Sequence, residues 1–309
     1  MKLGALDVGS NTVLMLVAEA TPPATVTKIA ELSRITRLGR GVDANGALDP
    51  EAAARTLETI DEFAARAREL GAERILAVAT AALRDARDGP EFIARVKQRA
   101  GVELEIVSGE SEARLAWLAA IRGLKLDPAA RLLVVDIGGG STELIRSAPG
   151  GAPTLISLQL GSVRLTERIV RHDPPTAREA ADLRLACDEA LRALGGDFTP
   201  SVMVGIAGTV TTVCAVALGL KHYDAAIVHG YRLTLNQTLG ALARFGAVPL
   251  AERRQLPGLE PGRADVIFAG AAILERVMAH FGLSEVIVSD QGVRWGLMWR
   301  TLDETGGSR

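Results

Sequence analysis

Two stretches of the chain follow one template: "LGALDVGSNTVLMLV", residues 3–17, and "LLVVDIGGGSTELI", residues 132–145. Each runs from an apolar strand into an Asp, then glycine, then hydroxyl-bearing residues, then a second apolar strand. A template this long, met once at the N-terminus and once near the middle, implies two copies of one α/β unit. An acid at the carboxyl end of a buried strand stands at the mouth of an α/β crevice, where such sheets bind ligands. The glycines behind it permit a tight turn and let an anion approach backbone N–H groups. A single copy could be a strand-to-strand turn with Asp as the turn residue. Two copies at matching places favour phosphate handling.

The flanking elements repeat as well. In the first half "KLGALDV", "TVLMLVAEA" and "TVTKIAELSRI" read as three antiparallel strands, separated by the turn signals "GSN" and "TPPA". A Gly-rich loop, "RLGRGVDANGALD", leads into a helix over "DPEAAARTLETIDEFAARARELG", with Asp49 at its N-cap, Pro50 first and Gly71 at its end. Strand "RILAVAT", a loop through Arg84, helix "PEFIARVKQRAG", strand "ELEIVS" and helix "ESEARLAWLAAIRG" complete the half. The second half starts again with "RLLVVDI", "TELIRSA" and "TLISLQL", with "PGGAP" as a hairpin turn. Helix "PTAREAADLRLACDEALRALG", strand "SVMVGIAG" and helix "TVTTVCAVALG" follow. A mostly helical stretch over about 234–282 precedes strand "EVIVSD" and helix "QGVRWGLMWRTLDE".

Helices between the later strands imply parallel pairing, so each half should be a mixed five-stranded sheet flanked by helices, with a cleft between the halves. The boundary falls in "GLKLDPAA", residues 123–130, where a helix stops and Pro128 follows. The expected domains are 1–124 and 125–309. Whether the last helix packs back on the first domain is left open by the sequence.

A chain of 309 residues suits two domains of roughly 150 each. With 48% hydrophobic and 23% charged residues it is an ordinary globular chain. The formal charge of −2 offers neither the basic excess of a nucleic-acid binder nor the charge block of a disordered tail. Cys187 and Cys214 lie in apolar, helix-like surroundings without close spacing, as core residues rather than a disulfide or metal pair. His172, His222, His229 and His280 occur singly, without metal-ligand spacing. The N-terminus enters a strand at once, with no signal-peptide pattern, and no apolar run reaches the roughly 18 residues that span a membrane. A cytoplasmic protein without membrane or nucleic-acid partners is the expectation.

Asp7 and Asp136 are placed to hold Mg²⁺, directly or through water, and so offset phosphate charge. "GIAGTVTTV", residues 205–213, adds a strand, glycines and a helix N-terminus whose free N–H groups can receive an anion. It is neither a dinucleotide-binding fingerprint nor a Gly-Lys-Ser/Thr P-loop. Glu143 lies early in a central strand and alternates away from Thr142 and Leu144. Unless it faces solvent, it needs a partner or a metal. Glu110 and Glu112 both follow Gly109 in the first turn of a helix, where the dipole favours any acid. The residues alone do not separate them. Arg34, Arg37 and Arg40 form either a local basic track for a polyanion or a solvated face.

The Asp–Gly–Ser/Thr turns with the Gly-Thr loop resemble the actin-like ATPase superfamily. "DVGSNTVLMLV", "AVATAALRDARDG", "EIVSGESEARLAWLAA", "DIGGGSTELI" and "SDQGVRWGLMW" keep their order from residue 5 to residue 299. They resemble the exopolyphosphatase/guanosine pentaphosphate phosphohydrolase family, in its short two-domain form. The resemblance implies two duplicated ribonuclease-H-like domains and Mg²⁺-dependent hydrolysis. The bond cleaved would be a terminal phosphoanhydride of polyphosphate or the 5′ γ-phosphate of pppGpp. Glu112 would then be the general base. Gly9, Ser10, Asn11 and Thr12, Arg84, Gly138, Gly139, Gly140, Ser141 and Thr142, and Gly208 with Thr209, would contact phosphate. Asp7, Asp136 and Glu143 would hold the metal. The resemblance also implies a homodimer and leaves K⁺ open as an activator. The first loop has "NT" where many members have "NS". The helical extension of longer members is not matched, which puts processivity on long polymers in doubt.

Two further classes stand beside this one. A kinase-type phosphotransferase would need acceptor and adenosine pockets, and the Glu112 motif argues against it. A nucleotide-gated scaffold would bind ATP tightly and turn it over slowly.

Overall fold

The computed structural model describes residues 1–21, 25–127, 129–195 and 198–306. The expected Pro22–Pro23 turn and the boundary residue Pro128 lie outside the described residues. The chain divides into two compact units, Met1–Arg122 with Gly292–Arg309, and Gly123–Gln291.

The first unit opens with β1 (Lys2–Val8), β2 (Thr12–Thr21) and β3 (Thr25–Ile35). Then come α1 (Val42–Asn45), α2 (Pro50–Glu69), β4 (Arg74–Ala79), α3 (Ala81–Asp85), α4 (Gly89–Ala100) and β5 (Leu104–Ile106). Helix α5 (Gly109–Leu124) ends two residues past the division between Arg122 and Gly123. The sheet order is β3-β2-β1-β4-β5. The first three strands are an antiparallel meander, and β4 and β5 extend it in parallel. Local signals set the helix ends: Asp49 accepts from the Ala52 amide at 2.8 Å at the start of α2, and Gly71 follows its end with φ 87°.

The second unit begins with β6 (Leu132–Ile137), β7 (Thr142–Ser147), β8 (Thr154–Leu158), α6 (Ser162–Ile169), α7 (Ala177–Arg192), β9 (Val202–Ile206) and α8 (Ala207–Ala217). It continues with α9 (Ala225–Val228), β10 (Arg232–Thr234), α10 (Leu235–Ala247), α11 (Leu250–Arg253), α12 (Ile267–His280) and β11 (Glu285–Val288). Its sheet has six strands, β10-β11-β9-β6-β7-β8, not the five expected. The extra strand, β10, is three residues pairing antiparallel with β11, too short to carry a period-two signal. Helix α6 is also absent from the sequence reading.

The last helix, α13 (Val293–Gly306), belongs to the first unit and packs on β1 and β2. Strand alternation gives the first sheet two buried faces. Leu6, Val8, Val13 and Met15 pack under α2 and α4, whereas Leu3, Ala5 and Leu16 pack with α5 and α13. In the second unit Cys187 and Cys214 lie in the core, where burial pushes both thiols up to about 12. Among the described residues no helix is long and apolar enough to cross a membrane.

Candidate active site

In the first unit the parallel strands β1, β4 and β5 end together. Asp7 pairs with Val78 in the ladder, the Thr80 amide donates to the Val8 carbonyl at 3.3 Å, and the Val107 amide donates to the Ala79 carbonyl at 3.0 Å. This carboxyl edge carries Asp7 and leads into α3 and α5. Arg84 lies in α3, where the sequence reading had a loop, and its Nη1 donates to the Val107 carbonyl at 3.2 Å. The same nitrogen is 4.0 Å from Oε2 of Glu112 in the first turn of α5. Ser108 starts that turn, with its hydroxyl accepting from the Ser111 amide at 3.2 Å. Glu110 is exposed, whereas Glu112 is half-buried beside Arg84. The Asp7 carboxyl is pushed up to about 6 because the strands around it desolvate it, with Arg294 opposing the shift.

The loop Gly9–Thr12 is closed by the Gly9 amide donating to the Thr12 carbonyl at 3.0 Å. Residues 36–39 wrap it: Thr36 and Arg37 amides donate to the Asn11 carbonyl and the Gly39 amide to Ser10, at 2.9, 3.0 and 2.7 Å. Arg37 takes φ 56°, a left-handed conformation costing an L-residue roughly 1–2 kcal/mol. A Cβ on Gly39 would lie 2.8 Å from the Ser10 Cβ, so this contact requires glycine. Of the expected basic track, Arg34 pairs with Glu62 at 2.5 Å and lies over the Phe63 ring, and Arg40 is exposed.

In the second unit Asp136 of β6 faces Glu143 of β7 in the ladder. Glu143 Oε1 accepts from the hydroxyls of Ser141 at 2.6 Å and Ser157 at 3.0 Å. The Gly138–Gly140 carbonyls cap α6: Ser162 donates to Gly138 and Val163 to Gly139, both at 2.9 Å, and Arg164 Nε donates to Gly140 at 2.7 Å. Gly161 makes this approach possible, because a Cβ there would be 2.1 Å from the Gly139 oxygen. Thr142 is fully buried and donates to the Leu160 carbonyl at 2.5 Å. Thr209 donates to the Ile137 carbonyl at 2.9 Å, tying the start of α8 to the end of β6. Both hydroxyls brace the loop.

The N-terminus of α8, like that of α6, has no capping side chain: its N-cap, Ile206, supplies no side-chain bond. Ala207 takes φ 66° at the junction, and a Cβ on Gly208 would lie 2.2 Å from Nη1 of Arg263. A guanidinium over a helix N-terminus makes this a second place suited to an anion. Arg164, Arg263 and Arg294 all escaped the sequence reading.

The donors suit Mg²⁺. Among the described residues no three His, Cys, Asp or Glu side chains cluster as a ready metal cage. Magnesium needs only one or two carboxylates, with water and substrate phosphate oxygens filling its octahedron. The adjacent Asp136 and Glu143 supply such hard oxygen donors, and Asp7 is a third acid at an equivalent strand end.

Two α/β units, each with an Asp–Gly loop after its first strand, together with a glutamate–arginine pair at a carboxyl sheet edge, define a phosphate-handling protein of the duplicated actin-like class. The model of the Ppx/GppA phosphatase family matches residues 16–305, and the chain belongs to that family. It is 33% identical over 312 aligned residues to exopolyphosphatase 2 of Mycobacterium tuberculosis, covering 96% of this chain and 97% of that one. It is 30% identical to the guanosine-5′-triphosphate,3′-diphosphate pyrophosphatase of Vibrio atlanticus, covering 97% of this chain and 59% of that one. The crystal structure of the Aquifex aeolicus Ppx/GppA family member matches with a TM-score of 0.84 at 34% identity, over 98% of each chain.

Proposed function

We propose that the protein is an exopolyphosphatase that releases terminal orthophosphate from inorganic polyphosphate. The observation carrying this reading is Glu112, held half-buried in the first turn of α5 with Arg84 Nη1 at 4.0 Å, at the sheet edge that also bears Asp7. Glu112 accepts a proton from water as its oxygen attacks the terminal phosphorus. The bridging P–O bond breaks, and the shortened chain leaves with the electron pair on its new terminal oxygen. Arg84 offsets charge on the transferred phosphoryl group. The loops Gly9–Thr12 and Gly138–Ser141, and the α8 N-terminus with Gly208 and Arg263, bind phosphate oxygens. Asp136 with Glu143 in the second unit, and Asp7 in the first, are the carboxylates that would hold Mg²⁺, which would supply neutralisation of phosphate charge. The enzyme on this reading is a cytoplasmic homodimer, checked by light scattering and cell fractionation.

The Vibrio relative favours a second reading, in which the same groups remove the 5′ γ-phosphate of pppGpp. Phosphate release from long-chain polyphosphate, tripolyphosphate and pppGpp, measured in parallel with Mg²⁺, separates the two. A much higher kcat/KM on pppGpp reverses their order, and no release from any of the three sinks both. Glu112→Gln should lower kcat by about 10²-fold or more while leaving KM nearly unchanged. Near-normal turnover would remove Glu112 from the base role.

A further inference from the structure

Arg253 closes α11 and is only 3% exposed, a buried cation in the second unit. Its Nε donates to the Phe245 carbonyl at 2.7 Å and its Nη2 to the Val248 carbonyl at 3.0 Å, at the end of α10. Its Nη1 donates to the Ala264 carbonyl at 3.1 Å. Asp173, between α6 and α7, stands 3.4 Å from Nη2 and accepts from the Leu250 amide, at the start of α11, at 2.7 Å. The residues between Arg253 and Ala264 touch α8 at two points. Gly258, at φ 83°, lies on Ala215, since a Cβ there would be 2.7 Å from the Ala215 carbonyl oxygen. Arg263 lies on Gly208, where a Cβ would be 2.2, 2.3 and 2.5 Å from Nη1, Cζ and Nη2.

The fork of Arg253 thus joins three carbonyls from separate stretches of chain. An apolar residue of equal volume would fill the space and leave those carbonyls without a donor, and a lysine donates from a single point. A buried carbonyl is costly to leave unpaired, so the fork fixes where each one stands. The Ala264 carbonyl is one residue from Arg263. Arg263 has a second restraint, its Nε donating to Oε2 of Glu260 at 3.0 Å, and its side chain is only 17% exposed. That is its one side-chain hydrogen bond among the described residues, so the Nη donors over Gly208 remain for a ligand.

We propose that Arg253 is a positioning residue for substrate phosphate: by fixing the Ala264 carbonyl it holds the Arg263 guanidinium over the first turn of α8. The inference rests on the assignment of Arg263 to the phosphate-binding groups.

The test is a double-mutant cycle on the full chain. Arg253→Lys keeps the charge and loses the fork, and Asp173→Ala loosens the same guanidinium from its half-exposed partner if the lysine variant folds poorly. Each is made with Arg263 and with Arg263→Met. The readouts are kcat and KM on tripolyphosphate, tripolyphosphate bound by the Glu112→Gln forms in calorimetry, and the thermal midpoint. With Arg263 present, Arg253→Lys should raise KM and the calorimetric Kd about 10-fold, the scale of one hydrogen bond to a charged group, with kcat within about twofold. Asp173→Ala should move both the same way by less. In the Arg263→Met background neither substitution should add more than about twofold. Equal rises in both backgrounds, or a lowered thermal midpoint with KM and Kd unmoved, overturn the proposal. If the wild type binds tripolyphosphate and hydrolyses none, the exopolyphosphatase reading fails, while the calorimetric cycle still decides the role of Arg253. No binding by the wild type overturns both.

Discussion

Asp7→Asn should make the metal-free protein more stable while disabling it. The Asp7 carboxyl titrates near 3.8 when unfolded and is pushed up to about 6 in the fold, because burial disfavours its charge. The net shift already includes the opposing attraction of Arg294. Folding therefore raises the proton affinity of this group. Its favourable share of stability is fully present below about 3.8 and is lost as pH rises through about 6. Above that, the native state carries an ionised, desolvated carboxylate whose cost is constant. A shift of about two units corresponds to about 3 kcal/mol, an upper bound for a group that keeps some solvent contact. Asparagine keeps the shape and discards the charge.

Urea unfolding in excess EDTA, from pH 4 to pH 8, measures the effect. At pH 8 Asp7→Asn should exceed the wild type by up to about 3 kcal/mol, and the gap should close towards pH 4. Excess Mg²⁺ should then stabilise the wild type more than the variant, because a ligand that binds only the native state adds stability by mass action. A variant less stable than the wild type at pH 8, or a gap that does not change with pH, would refute the account of Asp7 as an acid strained by burial. It would instead make Asp7 a stabilising partner of Arg294.

Gly161→Ala should be damaging although the side chain it adds is one methyl group. The new Cβ meets backbone at 2.1 Å, so α6 must back away from the Gly138–Gly140 carbonyls. A loss of about 1–3 kcal/mol in urea unfolding and a raised KM on tripolyphosphate are expected, and wild-type values would show that the loop does not depend on α6. Glu179 tests a knot remote from the chemistry. The Thr176 amide and the His172 ring donate to its carboxylate at 2.8 and 3.0 Å and hold it down to about 2 from an ordinary 4.5. That stability is present above about 4.5 and is lost as pH falls towards 2, so Glu179→Gln should lower the thermal midpoint at pH 7 by more than at pH 3. An equal loss at both pH values would count against it.

The duplication, both meanders and the strand ends at Asp7 and Asp136 are legible because apolar runs broken by Asp–Gly are local, strongly patterned signals. Helix α6 is not. Its eight residues begin at Gly161–Ser162 without a capping side chain, and its first N–H groups are satisfied by carbonyls some twenty positions earlier in the chain. β10 hides for a similar reason: three residues join the sheet through pairing with β11 across α10 and α12. Glu110 and Glu112 share a helix turn and a dipole, so only the fold distinguishes the exposed acid from the one beside Arg84. Arg294 carries no local mark of its partner, since Glu31 lies on β3, far away in the sequence.

The threonines of the glycine loops show where a motif stops being informative. Thr142 and Thr209 follow glycine-rich turns in the pattern expected of phosphate ligands, yet their hydroxyls donate to Leu160 and Ile137 carbonyls in buried positions. A buried hydroxyl and a buried carbonyl each cost about 1–3 kcal/mol if left unpaired, so these bonds hold the loops shut on the strands that bear them. Ser141, one residue before Thr142, turns instead to Glu143 at 2.6 Å. The two neighbours carry the same functional group into opposite tasks because strand alternation sends one inward and leaves the other at the mouth of the sheet. A hydroxyl in the sequence marks a donor. Which acceptor it meets is decided by the parity of the strand, and at Ser141 the acceptor is one of the two facing carboxylates.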